Sequence, residues 1–348
     1  METAWFCLVA IMIAAYVVLD GFDLGAGAIH FLVAKTDAER HLVVSSIGPV
    51  WDGNEVWLLA AGGTLYFAFP ALYASGFSGF YLPLMIVLWL LILRGISIEF
   101  REKVESPVWV KFWDVVFAAA SLLLAVFYGA ALGNVVRGVP LNDKGYFFEA
   151  LWTDFRLGTA TGILDWYTIL VGLAALATLT LHGALWLALK TDGPVHDRSQ
   201  RSARAAWWLV LLFTILVTGV TFRVQPQILQ NLSEHPAGYV FPLLALAGLV
   251  GMGWFMRRKD DLRSFLASCL YIVGMLTSVV FGLYPLVLPA GTSPAYSLTI
   301  HNAKAADYGL RIGLVWWIIG MALATAYFVY VYRNFAGKVK LEDGANGY

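Results

Sequence analysis

The chain has 348 residues, 60% of them hydrophobic and 13% charged, with 23 basic and 23 acidic side chains in balance. A mean hydropathy of +0.72 excludes an ordinary soluble domain, and zero net charge argues against a nucleic-acid partner. The two cysteines, Cys7 and Cys269, lie in apolar segments without a CxxC pairing, and read as small buried hydrophobes rather than a disulfide or metal ligands.

Repeated apolar runs predict an all-α, polytopic membrane protein with about nine transmembrane helices. In chain order the spans fall near 4–33, 51–70, 76–99, 112–136, 161–189, 206–224, 238–256, 262–288 and 308–334. The first and fifth run to about 30 residues, which at 1.5 Å per residue is roughly 45 Å. The N-terminus has neither a basic n-region nor an A-x-A cleavage site, so its apolar run reads as a retained helix.

Lysine and arginine set the expected orientation. Of the 23 basic residues, only Arg137, Lys144, Arg156, Arg223, Lys304 and Arg311 fall on one set of alternate connections. The other set carries the rest, in 33–50, 94–111, 190–204, 257–263 and the C-terminal tail. This places the N-terminus outside and the C-terminus in the cytoplasm. The longest exterior connection, Arg137 to Ala160, divides a single membrane domain (1–348) into a four-helix unit over 1–136 and a second over 161–288. The helix at 308–334 is then peripheral, giving two four-helix bundles plus one. The run from His196 to Arg204 reads as a solvated cytoplasmic face.

Acids cost roughly 2.5–3.5 kcal/mol each at the centre of a membrane helix, so each one needs a reason. Asp20 and Asp23 stand three apart on one face of the first span, in the inner half of the membrane, beside the small-xxx-small pair Gly21 and Gly25. Asp52 and Glu55 repeat that spacing at the start of the second span, within Trp51-Asp52-Gly53-Asn54-Glu55-Val56-Trp57. Alone, that pair is accounted for by the helix dipole. Together, the four acids make a proton or cation entrance on the cytoplasmic side. Structural pairing is the competing account for Asp20 and Asp23. Arg94, near the inner end of the third span, reads either as the counter-ion of a buried acid or as a side chain snorkelling to the interface. Trp51, Asn54 and Trp57 line the entrance.

Of the six histidines only His182 is squarely within a span, and no axial partner stands at matching depth. No CxxCH, glycine-rich phosphate loop or Ser/His/Asp set appears. The chain itself is therefore expected to bind no cofactor and no metal. A proton-coupled secondary transporter is the alternative on bare physics, although its mark, paired broken helices at mid-membrane, appears only once, at Pro285 and Pro289. A structural scaffold with dispensable acids is a third.

Five stretches together resemble subunit II of cytochrome bd, the bacterial quinol:oxygen oxidoreductase. They are Asp20-Gly21-Phe22-Asp23-Leu24-Gly25; Ile47-Gly48-Pro49 running into Trp51-Asp52-Gly53-Asn54-Glu55-Val56-Trp57; Phe77-Ser78-Gly79-Phe80-Tyr81; Arg94 to Arg101; and Pro285-Leu286-Val287-Leu288-Pro289 followed by Ser297-Leu298-Thr299. The likeness covers essentially the whole chain, and Trp-Asp-Gly-Asn-Glu is its specific part. Departures are His301-Asn302, where the family often has Trp-Asn or Trp-Asp, and the loop before the fifth span.

The resemblance implies two four-helix bundles plus one helix, paired with a haem-bearing subunit I. Subunit I would hold haems b558, b595 and d and the quinol site, leaving this chain haem-free; small accessory subunits and membrane lipid complete the expected partners. The aspartate matching Asp52 would serve proton uptake from the cytoplasm, with Glu55 auxiliary, Asp20 and Asp23 as relay or structural pair, and Arg94 as counter-charge. An apolar path through the subunit would admit oxygen. The expected location is the bacterial cytoplasmic membrane.

Overall fold

The computed structural model describes residues 1–158 and 161–339; Thr159, Ala160 and the C-terminal tail beyond 339 lie outside the described residues. The first half of the chain forms α1 (Glu2–Ala28), α2 (His30–Val33), α3 (Asp37–Ile47), α4 (Trp51–Ala68), α5 (Pro70–Gly79), α6 (Tyr81–Phe100) and α7 (Pro107–Arg137). The second half forms α8 (Trp166–Lys190), α9 (Gly193–Val224), α10 (Pro226–Glu234), α11 (Val240–Arg257), α12 (Asp261–Leu283) and α13 (Asp307–Asn334). Strands β1 (Leu286–Leu288) and β2 (Leu298–Thr299) pair antiparallel between the last two helices, with Leu286 opposite Thr299.

Among the described residues nine long helices overlap the nine expected spans. Eight of them are long and apolar enough to cross a membrane. The exception is α4, which carries Asp52 and Asn54 in its first turn and Glu55 just after it. The chain is thus an all-α, multi-pass membrane protein.

Local chemistry explains the boundaries, and several differ from the sequence expectation. The first span breaks at Ile29, separating α1 from α2. Pro70 ends α4 and opens α5, since proline lacks the amide that α4 would need to continue. The fifth span starts at Trp166 rather than 161, because Asp165 accepts from the amides of Tyr167 and Thr168 while Thr168 reaches back to the Asp165 amide. A second capping box, between Thr36 and Glu39, builds α3 inside an expected loop.

The largest correction is α9. Its helix begins at Gly193-Pro194, so the run His196 to Arg204 is helical and continuous with the sixth span. Arginine, glutamine and alanine are good helix formers, and proline suits a first turn. Nor is that run wholly solvated: Ser199 and Ala203 are buried, and Arg198 meets Glu39 at 2.5 Å. The eighth span ends at Leu283, beyond which the chain is extended into β1. Cys7 is exposed on the bundle rather than buried.

Two helices form the axis of the assembly. α1 packs against α4, α7, α8 and α12, and α8 packs against α7, α9 and α12 as well. Their crossing is close because both helices present glycine there: a Cβ at Gly25 would run into the Leu179 carbonyl oxygen, and one at Gly183 into the backbone of Gly25 and Ala26. α13 lies outside the bundles, with Leu310 its buried residue. It is tied on by three bonds: the Trp5 indole to the Leu310 carbonyl (3.1 Å), the Trp317 indole to the Met12 sulfur (3.4 Å) and Tyr332 to Asn54 (2.8 Å).

The two ends of the bundle differ. One gathers Met1, the 138–165 connection and the β1–β2 hairpin, joined by Thr3 to Tyr284 (3.1 Å) and by the Val139 amide to the Pro289 carbonyl (3.0 Å). The other gathers the base-rich connections, joined by Arg101 to Asp37 (2.6 Å), His196 to Asp261 (3.0 Å) and Lys338 to Asp192 (2.5 Å).

Candidate functional site

About 10–12 Å inside the base-rich end, by helical rise from Ala28 and Arg101, three helices bring four ionisable groups together. α1 supplies Asp20 and Asp23, α4 supplies Glu55, and α6 supplies Arg94. Arg94 and both aspartates have no exposed surface. A single terminal nitrogen of Arg94, Nη2, donates to Asp20 Oδ1 at 2.6 Å and to Glu55 Oε2 at 3.1 Å. Arg94 therefore acts as counter-ion here and does not snorkel.

Asp23 faces the same interior but takes a different partner. Its Oδ2 accepts from Asn54 Nδ2 at 2.9 Å, and Asn54 Oδ1 accepts from the Tyr332 hydroxyl at 2.8 Å. One helical turn before Asp20, the Tyr16 hydroxyl donates to that of Tyr128 at 2.9 Å. Asp20 Oδ2, Asp23 Oδ1 and Arg94 Nε and Nη1 are buried with no protein partner among the described residues. Three carboxyls beside one guanidinium carry an excess of up to two negative charges when all are ionised, an arrangement that a protein interior tolerates only with protons or further cations.

Asp52 is not part of this cluster. It is exposed in the first turn of α4, three residues before Glu55, and forms no ion pair among the described residues. Trp51 lies over Gly95, next to Arg94, where a glycine leaves room for the indole. Trp57 stands beside Phe328 of α13, ring centroids 5.5 Å apart, with its indole nitrogen unpartnered.

The sequence matches the model of the family described as cytochrome bd terminal oxidase subunit II over residues 1–335. The chain belongs to that family. Relatives include the "Probable cytochrome oxidase subunit 2" of Haemophilus influenzae, 29% identical over 96% of this chain and 94% of that one. The "Cytochrome bd-I ubiquinol oxidase subunit 2" of Escherichia coli is 26% identical over 97% and 95%. The "Cytochrome bd ubiquinol oxidase subunit 2" of Bacillus subtilis is 30% identical over 88% of each. The solved bd oxidase of Geobacillus thermodenitrificans has a chain of the same fold, with a TM-score of 0.76, 17% identity and coverage of 96% and 98%.

In this cytochrome bd subunit II, His182 has both ring nitrogens engaged: Nδ1 with Ser268 Oγ at 2.7 Å and Nε2 with the Val18 carbonyl at 2.9 Å. Its ring stacks on Phe265 at 4.9 Å. Among the described residues no three His, Cys, Asp or Glu side chains are placed to hold a metal ion.

Two further charged clusters escaped the sequence reading. At the base-rich end, buried Asp114 meets His30 Nε2 at 3.0 Å, Arg101 Nε at 2.8 Å and Arg40 Nε at 3.0 Å, lashing α2, α3, α6 and α7 together. At the opposite end, Arg137 reaches Asp165 and also Glu149, the latter at 2.7 Å. Burial pushes Glu149 up to about 7, with Arg137 opposing that rise and Asp165 adding to it. Asp114, at the very start of a span, was a legible signal. The Arg137 cluster was legible only in part, since Asp165 lay inside the expected span 161–189 whereas Glu149 lies in an irregular connection.

Proposed function

We propose that this chain is the haem-free subunit II of a cytochrome bd-type terminal oxidase, working with a haem-bearing subunit I that oxidises quinol and reduces oxygen to water. What carries the proposal to a specific role is Arg94 held between Asp20 and Glu55, with Asp23 alongside, inside the base-rich end. The base-rich end is the cytoplasmic one by the positive-inside rule, so the N-terminus is outside and the C-terminus inside.

The partner's haems supply electrons and the oxygen-binding centre; protons must reach it from water. Asp52, exposed at the cytoplasmic mouth, takes up a proton, and Glu55 one turn deeper receives it. Arg94 holds Asp20 and Glu55 together and offsets their charge, so protons are held there without an isolated buried anion. Asn54 fixes Asp23, while Trp51 and Trp57 shape the apolar approach that also admits oxygen. His182, with both nitrogens bonded inside the chain, does not fit axial ligation, which supports placing the haems on subunit I. The division into units 1–136 and 161–288 with a peripheral 308–334 is part of this reading, and follows the long 138–165 connection.

The test is turnover per haem across pH in Asp52→Asn and Glu55→Gln complexes. Asp52→Asn is expected to lower oxygen consumption severalfold while assembly and haem content stay at the wild-type level. If Asp52 served only the helix dipole, its loss would cost about 0.3–1 kcal/mol of stability and leave turnover unchanged at every pH.

A further inference from the structure

A cavity of about 890 Å³ opens at the base-rich end, between α3, α8, the start of α12 and the segment leaving α13. Its walls are mainly apolar: Trp186 and Phe265 form the buried part, and Leu262 and Leu266 the mouth. The two leucines are 53% and 54% exposed, so the rim of the cavity carries apolar surface at the start of α12. One charged group stands inside it. Lys190, the last residue of α8, is 8% exposed, and its ammonium donates to the Phe335 carbonyl at 2.5 Å and lies 5.5 Å from the Trp186 ring centroid.

Among the described residues no carboxylate pairs with Lys190. The other charges on the wall are already matched, His41 with Glu102 and Lys338 with Asp192. A buried ammonium facing only a carbonyl dipole and a ring is under-compensated, and an entering anion would complete it.

We propose that this cavity binds one anionic phospholipid, its phosphate beside Lys190 and an acyl chain along Leu262, Phe265 and Leu266. Three features select that occupant together. The cation sits at the end of a membrane helix, at head-group level. The walls behind it are hydrocarbon-like, and Leu262 and Leu266 leave exposed apolar surface at the rim. The site lies apart from the Asp20–Glu55–Arg94 cluster, although Tyr332 lines the cavity while its hydroxyl bonds Asn54.

The complex, purified with its partner subunit, is exchanged into nanodiscs of phosphatidylcholine with or without phosphatidylglycerol, and tightly retained lipid is identified by native mass spectrometry. One phosphatidylglycerol per complex is expected in the wild type. Lys190→Gln should weaken retention about fivefold, the worth of one lysine beside an anionic head group, whereas Lys190→Arg should keep it. Leu266→Trp, at an exposed position that folding tolerates, should reduce retention by blocking the mouth. Equal retention of phosphatidylcholine and phosphatidylglycerol would overturn the proposal. So would displacement of the bound lipid by inorganic phosphate alone, or phosphatidylglycerol retained only by a chain ending at Val339.

Discussion

Arg94 decides the chemistry of its surroundings because one of its nitrogens serves carboxylates from two helices, Asp20 on α1 and Glu55 on α4. Removing one partner of a buried charge pair is far costlier than removing both, about 3–5 kcal/mol for the single loss. Arg94→Gln is therefore expected to lower the melting temperature of the purified complex sharply, and Asp20→Asn in the same chain to recover part of that loss. A double-mutant cycle on thermal unfolding measures the coupling; additive effects would mean that the pair contributes nothing. At this scale the sequence was informative about which residues matter and silent about how they pair. Spacing put Asp20 and Asp23 on one face, yet they take different partners, Arg94 on α6 and Asn54 on α4.

An arginine at the end of α7 is a main anchor of the 138–165 connection. Arg137 bonds Asp165, Glu149 and the carbonyls of Gly138 and Gly162, so both ends and one middle acid of the connection meet at its guanidinium. Glu149 sits there with a pKa raised from 4.5 to about 7 by burial. The packed loop thus holds the Glu149 proton more tightly than the open loop does. Its contribution to stability is full below about pH 4.5, falls as pH rises through about 7, and levels off above that. Hydrogen exchange of the loop amides should accordingly show lower protection near pH 8 than near pH 5, after correction for intrinsic rates. Glu149→Gln should flatten this profile, and an unchanged profile would assign the effect to another group. The boundaries of α8 and α9 teach a related lesson. Asp165 and Gly193-Pro194 are local signals for helix starts, but hydropathy averages over windows too wide to respect them.

For the whole molecule, the segregation of charge is a statement about sidedness. Asp143 and Lys103 are exposed at opposite ends of the bundle. With Cys7, which is exposed, replaced by serine, a membrane-impermeant maleimide should label Asp143→Cys in intact cells and Lys103→Cys only in inverted vesicles. The reverse pattern would invert the proposed topology and move the carboxylate cluster to the outer side.

Hydropathy determined the all-α, multi-pass architecture, because a bilayer demands long, internally hydrogen-bonded helices whatever their neighbours. The Trp-Asp-Gly-Asn-Glu stretch and the paired aspartates of the first helix pointed to the family for an equally local reason: acids inside a membrane helix are rare, so their pattern is specific. Which acids meet was left to the tertiary structure. Only the packing of α1, α4 and α6 decides that Glu55 joins Asp20 on Arg94 while Asp52, three residues away, stays at the surface. Only the arrival of α13 at Asn54 brings Tyr332 to the cluster, from 278 residues further along the chain. A hydrogen bond between distant segments depends on distances of a few tenths of an ångström, and no pattern along the sequence carries that information.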